Sequence, residues 1–457
     1  MMNKLFCPER VFLFFGVLFG VMIMIFTPPF LYPDENAHFY RALGILDGQI
    51  VVQKTDKEHS GSFLPKSIHD FENRTKFYDF LADRDCLKAR ISFKDISDAS
   101  SYTKNGEKIF INHINTALYS PVAYIPQLAG MAAAGMFTPS FLYIMFGGKI
   151  CNFLFYLILG FFAIRSLPFL KWVGVLILLA PINLSLAGSL STDPVLLSSS
   201  MLFFAKILQY SVGEDSKVGW KQVVLLAVLA FVIGQVKQNF LIVFFVFLIP
   251  KKKFCGGYFW KMAAVVVPSV VLSLVWGKIA SGVLVPGNGA QPANQVVYIL
   301  SHPIEYLQTF FRTSRIFSRM LREMVGVLGW LNIRLDWWAY GLYYIFFVLN
   351  VIFAGECGGK IRKMFSLKQK LFVLFLSLLI IFVISTNMYI VWSHVGAELI
   401  DGIQGRYFAS VLLPIAAFFA ITFPSKENNP VLSCFTILFS VIILSDTVYR
   451  LYSSFFV

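Results

Sequence analysis

Apolar runs about as long as a bilayer is thick recur along the whole chain, at 11–26, 141–164, 371–391 and 431–449 among others. A hydrocarbon core of roughly 30 Å takes about 20 helical residues to cross. In lipid, a spanning segment must satisfy its own backbone N–H and C=O groups, which favours helices. The runs therefore predict an all-α polytopic membrane protein. Composition removes the alternatives. The chain is 57% hydrophobic and 14% charged, where a soluble globular chain has about 25% charged residues. Disorder, an ordinary soluble enzyme and a secreted disulfide module are excluded. The cysteines Cys7, Cys86, Cys151, Cys255, Cys357 and Cys434 are scattered and form no C-x-x-C pair. They are expected to be small buried hydrophobes, and Cys86, alone in its loop, is expected to make no disulfide there.

The net charge of +14 is unevenly spread. Segment 31–115 carries 13 acidic and 12 basic residues, and the remainder carries 12 acidic and 27 basic. One nearly neutral, water-facing loop thus interrupts a basic membrane body. Such a body implies cytoplasmic loops facing anionic membrane lipid, with no nucleic-acid partner. The first run follows Lys4 and Arg10 and leads into Pro28-Pro29, not into a small-residue cleavage site. It is expected to be an uncleaved anchor with a cytoplasmic N-terminus.

Further spans are expected at 141–164, 172–188, 195–212, 259–282, 337–355, 371–391, 406–423 and 431–449, with a pair of short helices in 219–250. That makes about eleven spans in the inner (plasma) membrane, with a large first extracytoplasmic loop. The cytoplasmic side is marked by Glu214, Asp215 and Lys217, by Lys251-Lys252-Lys253, and by the basic run from Lys360 to Lys370. Segment 118–136 contains Pro121 and Pro126 and is expected to be interfacial or re-entrant. Residues 1–457 form a single membrane domain. Within it, 31–115 is a loop with interfacial helices, and 283–335 is a second outer segment with an amphipathic, arginine-rich helix.

Three features could carry chemistry. In Pro33-Asp34-Glu35-Asn36-Ala37-His38-Phe39-Tyr40-Arg41, Asp34 is a natural helix cap. Asp34, His38 and Arg41 then share one face of a short helix on the outer membrane surface. Their alternative is a capped interfacial helix with solvated charges, and His38 alone is compatible with a structural hydrogen bond. Asp193, in Ser191-Thr192-Asp193-Pro194, either caps the following helix or supplies a second acid. The third feature is a set of outward cations: Lys237, Arg406 beside Tyr407, and Arg312, Arg315, Arg319 and Arg322 at helical spacing. Guanidinium forks match phosphate oxygens, although an arginine stripe also suits lipid headgroups. The chain contains no P-loop, dinucleotide fingerprint, H-E-x-x-H or nucleophile elbow.

Pro33-Asp34-Glu35 with His38, Tyr119-Ser120-Pro121 with Tyr124 and Pro126, Ser191-Thr192-Asp193 and Gln404-Gly405-Arg406-Tyr407-Phe408 together resemble a family of bacterial predicted membrane proteins grouped with the GT-C glycosyltransferases. The resemblance covers about residues 10–423. It implies a GT-C-like fold and transfer of a sugar from a polyprenyl-phosphate donor to a cell-envelope glycan, lipid or protein acceptor at the outer face. By the same resemblance Asp34 is the catalytic carboxylate, with Glu35 beside it and Asp193 as the second acidic residue, and an inverting transfer would use Asp34 as base. Substrate would then meet His38, Arg41, Lys237, Arg406, Tyr407, Arg312 and Arg315. No cofactor is certain, although an acid pair leaves room for a divalent metal. Two other functions fit the same sequence. One is a surface-polysaccharide polymerase or ligase working on the arginine helix, and the other is a lipid-linked-sugar flippase or transporter.

Overall fold

A computed structural model describes residues 7–83, 90–213, 217–237, 239–354, 358–424, 426 and 429–456. Cys86, Cys357, Glu214, Asp215 and the side chain of Lys360 lie outside the described set. Cys7, Cys151, Cys255 and Cys434 are free thiols.

The protein is mostly helical. The body begins with α1 (Pro8–Phe26), α2 (Glu35–Leu46), α3 (Ile125–Gly135) and α4 (Phe141–Ser166). It continues with α5 (Lys171–Leu178), α6 (Pro181–Ala187), α7 (Asp193–Val212), α8 (Trp220–Gln235) and α9 (Tyr258–Ser281). Then come α10 (Pro292–Ser301), α11 (Pro303–Thr313), α12 (Phe317–Gly326) and α13 (Trp337–Ile352), followed by α14 (Leu367–Trp392), α15 (Ala409–Thr422) and α16 (Pro430–Phe455). Among the described residues seven helices are long and apolar enough to cross a membrane: α1, α4, α7, α9, α14, α15 with the turn before it, and α16. The apolar helices α8 and α13 are shorter.

Two expected helices differ, each for a local reason. The run at 172–188 is not continuous. It breaks into α5 and α6 at Pro181, which lacks an N–H and cannot continue the ladder. The carbonyls freed at the break are taken up by side chains. Asn183 donates to Ile177 O at 2.8 Å, Tyr156 to Leu178 O at 2.7 Å and Tyr343 to Leu176 O at 3.1 Å. In the second case, the short pair in 219–250 is α8 followed by a 3-10 helix, Phe240–Leu248.

Segment 118–136 is a 3-10 turn, Pro121–Tyr124, leading into α3. At 11 residues α3 is about 16 Å long, too short to cross. It is pinned against α4 through glycine. A Cβ on Gly130 would stand 1.9 Å from the Gly147 carbonyl oxygen, so the two backbones touch, as small residues allow.

Between α2 and α3 lies a three-stranded antiparallel sheet, β1 (Gln53–Lys54), β2 (Ser60–Pro65) and β3 (Lys108–Asn112), with short helices at its side. This unit covers α2. The expectation of a surface helix at 34–46 is therefore corrected. Phe39 meets the rings of Phe30, Phe71 and Phe141, and residues 37–45 are all buried.

Candidate functional site

Four stretches far apart in the chain end at one place: the turn before α2, the start of α7, the tip after α8 and the turn before α15. Between them lies a cavity of about 710 Å³, within the usual range for a ligand site, lined at one end by Asp34, Asn115, Asp193, Lys237, Arg406 and Tyr407. Much of the remaining wall is apolar and comes from membrane helices, with Ile380, Ile384 and Met388 of α14 prominent, although Asn183, Asn387 and Ser410 also line it.

The charged end alternates in sign. Asp34 Oδ2 accepts from Arg406 Nη2 at 2.9 Å. Arg406 Nε stands 3.9 Å from Asp193 Oδ2. The other oxygen of Asp193 pairs with Lys237 Nζ. Lys237 also sits 4.9 Å from the Tyr407 ring centre, a cation–π contact. Arg406 Nε and Asp193 Oδ2 are both buried without a hydrogen-bond partner among the described residues. Buried polar atoms normally have partners, so this gap is suited to a polar ligand group.

Local structure aims each of these groups. Asp34 does not cap α2 with its side chain, as the sequence suggested. Its backbone is left-handed at φ +59°, a conformation that Asp tolerates better than most residues. Its carboxylate turns into the cavity and takes Asn115 Nδ2 at 3.1 Å. Thr192 occupies the capping position of α7, which leaves Asp193 as the first helical residue. Lys237 is left-handed at φ +50°, just past the end of α8. Arg406 is set by Glu323 of α12, whose Oε2 accepts from the Gly405 N–H at 2.7 Å. Gly405 lies so close to α12 that a Cβ there would meet the Met320 carbonyl oxygen at 1.9 Å.

Other expected site residues lie elsewhere. Glu35 and Lys149 are paired at 3.1 Å with both side chains 0% exposed. Glu35 also accepts from Phe30 N at 2.8 Å and Leu190 N at 3.3 Å. Burial raises its carboxyl pKa, while Lys149 and the two amides favour the ionised form. Glu35 does not line the cavity. It ties together the chain beside Asp34 and the chain beside Asp193. Lys149 was missed, although a lone lysine inside a long apolar run marks a buried partner. Glu323 was also missed, and no sequence signal distinguishes it from a solvated acid on an amphipathic helix.

Arg41 is buried too. Its guanidinium donates to the carbonyls of Tyr119, Gln49 and Ile50, so it holds the loop that carries Tyr119. Burial lowers its pKa to about 10, leaving it a cation at neutral pH. Arg312 and Arg315 are exposed and do not line the cavity.

His38 lies behind the cavity wall, with Nδ1 2.8 Å from the Tyr124 hydroxyl. Burial lowers its pKa to about 4, against about 6.5 in an unfolded chain. Between these values the unfolded state binds the extra proton, so the contribution of His38 to stability falls as pH drops from about 6.5 toward 4. Wild type should therefore lose roughly 3 kcal/mol through this group over that window, and His38→Gln should lack that part of the loss. Thermal unfolding of the two proteins in detergent at stepped pH checks this.

Among the described residues no group of three or more His, Cys, Asp or Glu side chains converges. The two acids at the cavity already face Lys237 and Arg406. Among the described residues there is thus no all-protein cage for a divalent metal.

Residues 15–416 match the family described as a predicted membrane protein, DUF2142. The chain belongs to that family. Every cavity residue named above falls inside the matched stretch, so DUF2142 takes in the whole polar end and the α14 wall. No curated protein and no solved structure matches the chain.

Proposed function

We propose that this DUF2142 protein is a GT-C-type membrane glycosyltransferase that moves a sugar from a polyprenyl-phosphate carrier to an acceptor hydroxyl. One observation carries the reading. Asp34, Asp193, Lys237 and Arg406 converge at the polar end of a cavity whose walls include apolar residues of the membrane helices, Ile380, Ile384 and Met388 among them. That division suits an amphiphile with an anionic head and a hydrocarbon tail.

Asp34 acts as general base and takes the proton of the acceptor hydroxyl. The acceptor oxygen attacks the anomeric carbon, and the bond from that carbon to the phosphate oxygen breaks. The polyprenyl phosphate leaves with the electron pair, and its charge falls on Lys237 and Arg406. A single displacement of this kind inverts the anomeric centre. Fixed cations at a forming anion stabilise the transition state without reorganisation. Asp193 holds the two cations in place from between them. Glu35 and Arg41 take no part in the chemistry and set the backbone around it. On this reading the protein has a cytoplasmic N-terminus, and the cavity opens at the outer face of the inner membrane.

The test is a reconstituted assay. Purified protein in vesicles is given a radiolabelled polyprenyl-phosphate sugar together with envelope glycan or lipid acceptors, and labelled product is followed. A covalent product with inverted anomeric configuration is expected. Movement of intact donor across the vesicle with no new bond would replace the transferase with a transporter.

A further inference from the structure

The arginine stripe, left outside the cavity, has its own geometry. Helices α10 and α11 form a hairpin laid against the cavity end of α14. Gln295 Oε1 accepts from Gly396 N at 3.1 Å, and Thr309 donates to Ala397 O at 3.3 Å. The Tyr306 hydroxyl bonds that of Thr386 at 2.5 Å, and its ring stacks on Tyr389 at 5.3 Å.

These contacts fix the inward side of α11 as Tyr306, Thr309 and Thr313, all buried. At 100° per residue, Leu307, Phe311 and Ile304 then run from one flank to the outward side, while Arg312 falls on the opposite flank; Arg315 follows in the 3-10 turn Ser314–Ile316 just beyond the helix. The apolar flank is bare: Ile304 is 68% exposed, Phe311 65% and the neighbouring Leu300 of α10 76%. Arg312 and Arg315 have no hydrogen-bond or ion-pair partner among the described residues. The next two arginines differ, because Arg319 pairs with Glu323 at 3.3 Å and Arg322 lies over the Trp337 ring. An amphipathic helix with one greasy flank and one cationic flank lies in the plane of a membrane interface.

We propose that the α10–α11 hairpin docks on anionic phospholipid in the leaflet at the cavity end of the bundle. Leu300, Ile304, Leu307 and Phe311 sit in the acyl boundary, and Arg312 and Arg315 sit on lipid phosphates. This surface does not depend on sugar transfer. It is one helix removed from the cavity, because α14 carries the hairpin on one side and lines the cavity on another.

The experiment uses the full chain in lipid nanodiscs containing a photoactivatable phosphatidylglycerol or, in parallel, a photoactivatable phosphatidylcholine. Adducts are mapped by peptide mass spectrometry. Phosphatidylglycerol adducts on 296–317 should exceed phosphatidylcholine adducts. Attraction to an anionic surface is worth about fivefold per basic residue, so R312Q/R315Q should cut the preference about 25-fold. R312K/R315K should keep most of it. Adducts near Lys251–Lys253 should be unchanged in both variants, which shows that the fold survives. Equal labelling by the two lipids, or a preference untouched by R312Q/R315Q, overturns the proposal. Loss of the adducts in excess inorganic phosphate also overturns it, because the surface would then bind free phosphate instead of a lipid face.

Discussion

Lys149→Met should be among the most damaging single substitutions in this protein. The lysine and Glu35 are both sealed from solvent. Removing one partner of a buried pair leaves the other charge uncompensated, at a cost of about 3–5 kcal/mol. Here the cost also spreads, because the same Glu35 carboxylate accepts from Phe30 and Leu190. The double variant Glu35→Gln, Lys149→Met leaves no lone charge and should recover much of the loss. Lys278→Met, on an exposed lysine of α9, should change stability by no more than about 0.5 kcal/mol. Unfolding midpoints of the four proteins in one detergent measure this. A Lys149→Met protein as stable as wild type would mean that the pair does not hold these elements together.

Asp34→Asn should lower the transfer rate by about 10²–10⁴-fold, the usual contribution of a positioned base, while leaving the protein folded. The amide is nearly isosteric, and its oxygen can still accept from Asn115, which now contacts Oδ1 at 3.1 Å. Stability should change little, since the Asp34 side chain is 27% exposed and is not sealed in the way Glu35 is. A rate near wild type would remove Asp34 as base. Glu35→Gln makes the contrast: its defect should appear first as lost stability. The two neighbouring acids, chemically alike, are thus separable by which measurement each one moves.

Much of the membrane body could be read from hydropathy, because spans must be apolar along their length and lipid allows few other solutions. Asp193, Lys237 and Arg406 also stood out, since an ion beside long apolar runs needs a reason to be there. The roles within Pro33–Arg41 did not. Helical spacing puts Asp34, His38 and Arg41 on one face, and the structure does turn all three toward segment 115–124. Periodicity cannot tell that the sheet-bearing segment between α2 and α3 folds back over this helix and buries two of them. The break at Pro181 is similarly local in sequence but depends on Tyr156 and Tyr343, which arrive from distant helices. Arg312 and Arg315 were grouped with the cavity cations by charge alone, and only the packing of α11 on α14 separates them.

That break also has a consequence for how the chain is made. Segment 171–187 leaves the ribosome with carbonyls that its own backbone cannot satisfy. Tyr156 has already been synthesised by then, but Tyr343 follows more than 150 positions later. Until it arrives, the Leu176 carbonyl lacks its final partner. Integration of this segment is therefore finished late in translation, and chains halted before residue 343 should hold it more loosely than completed ones.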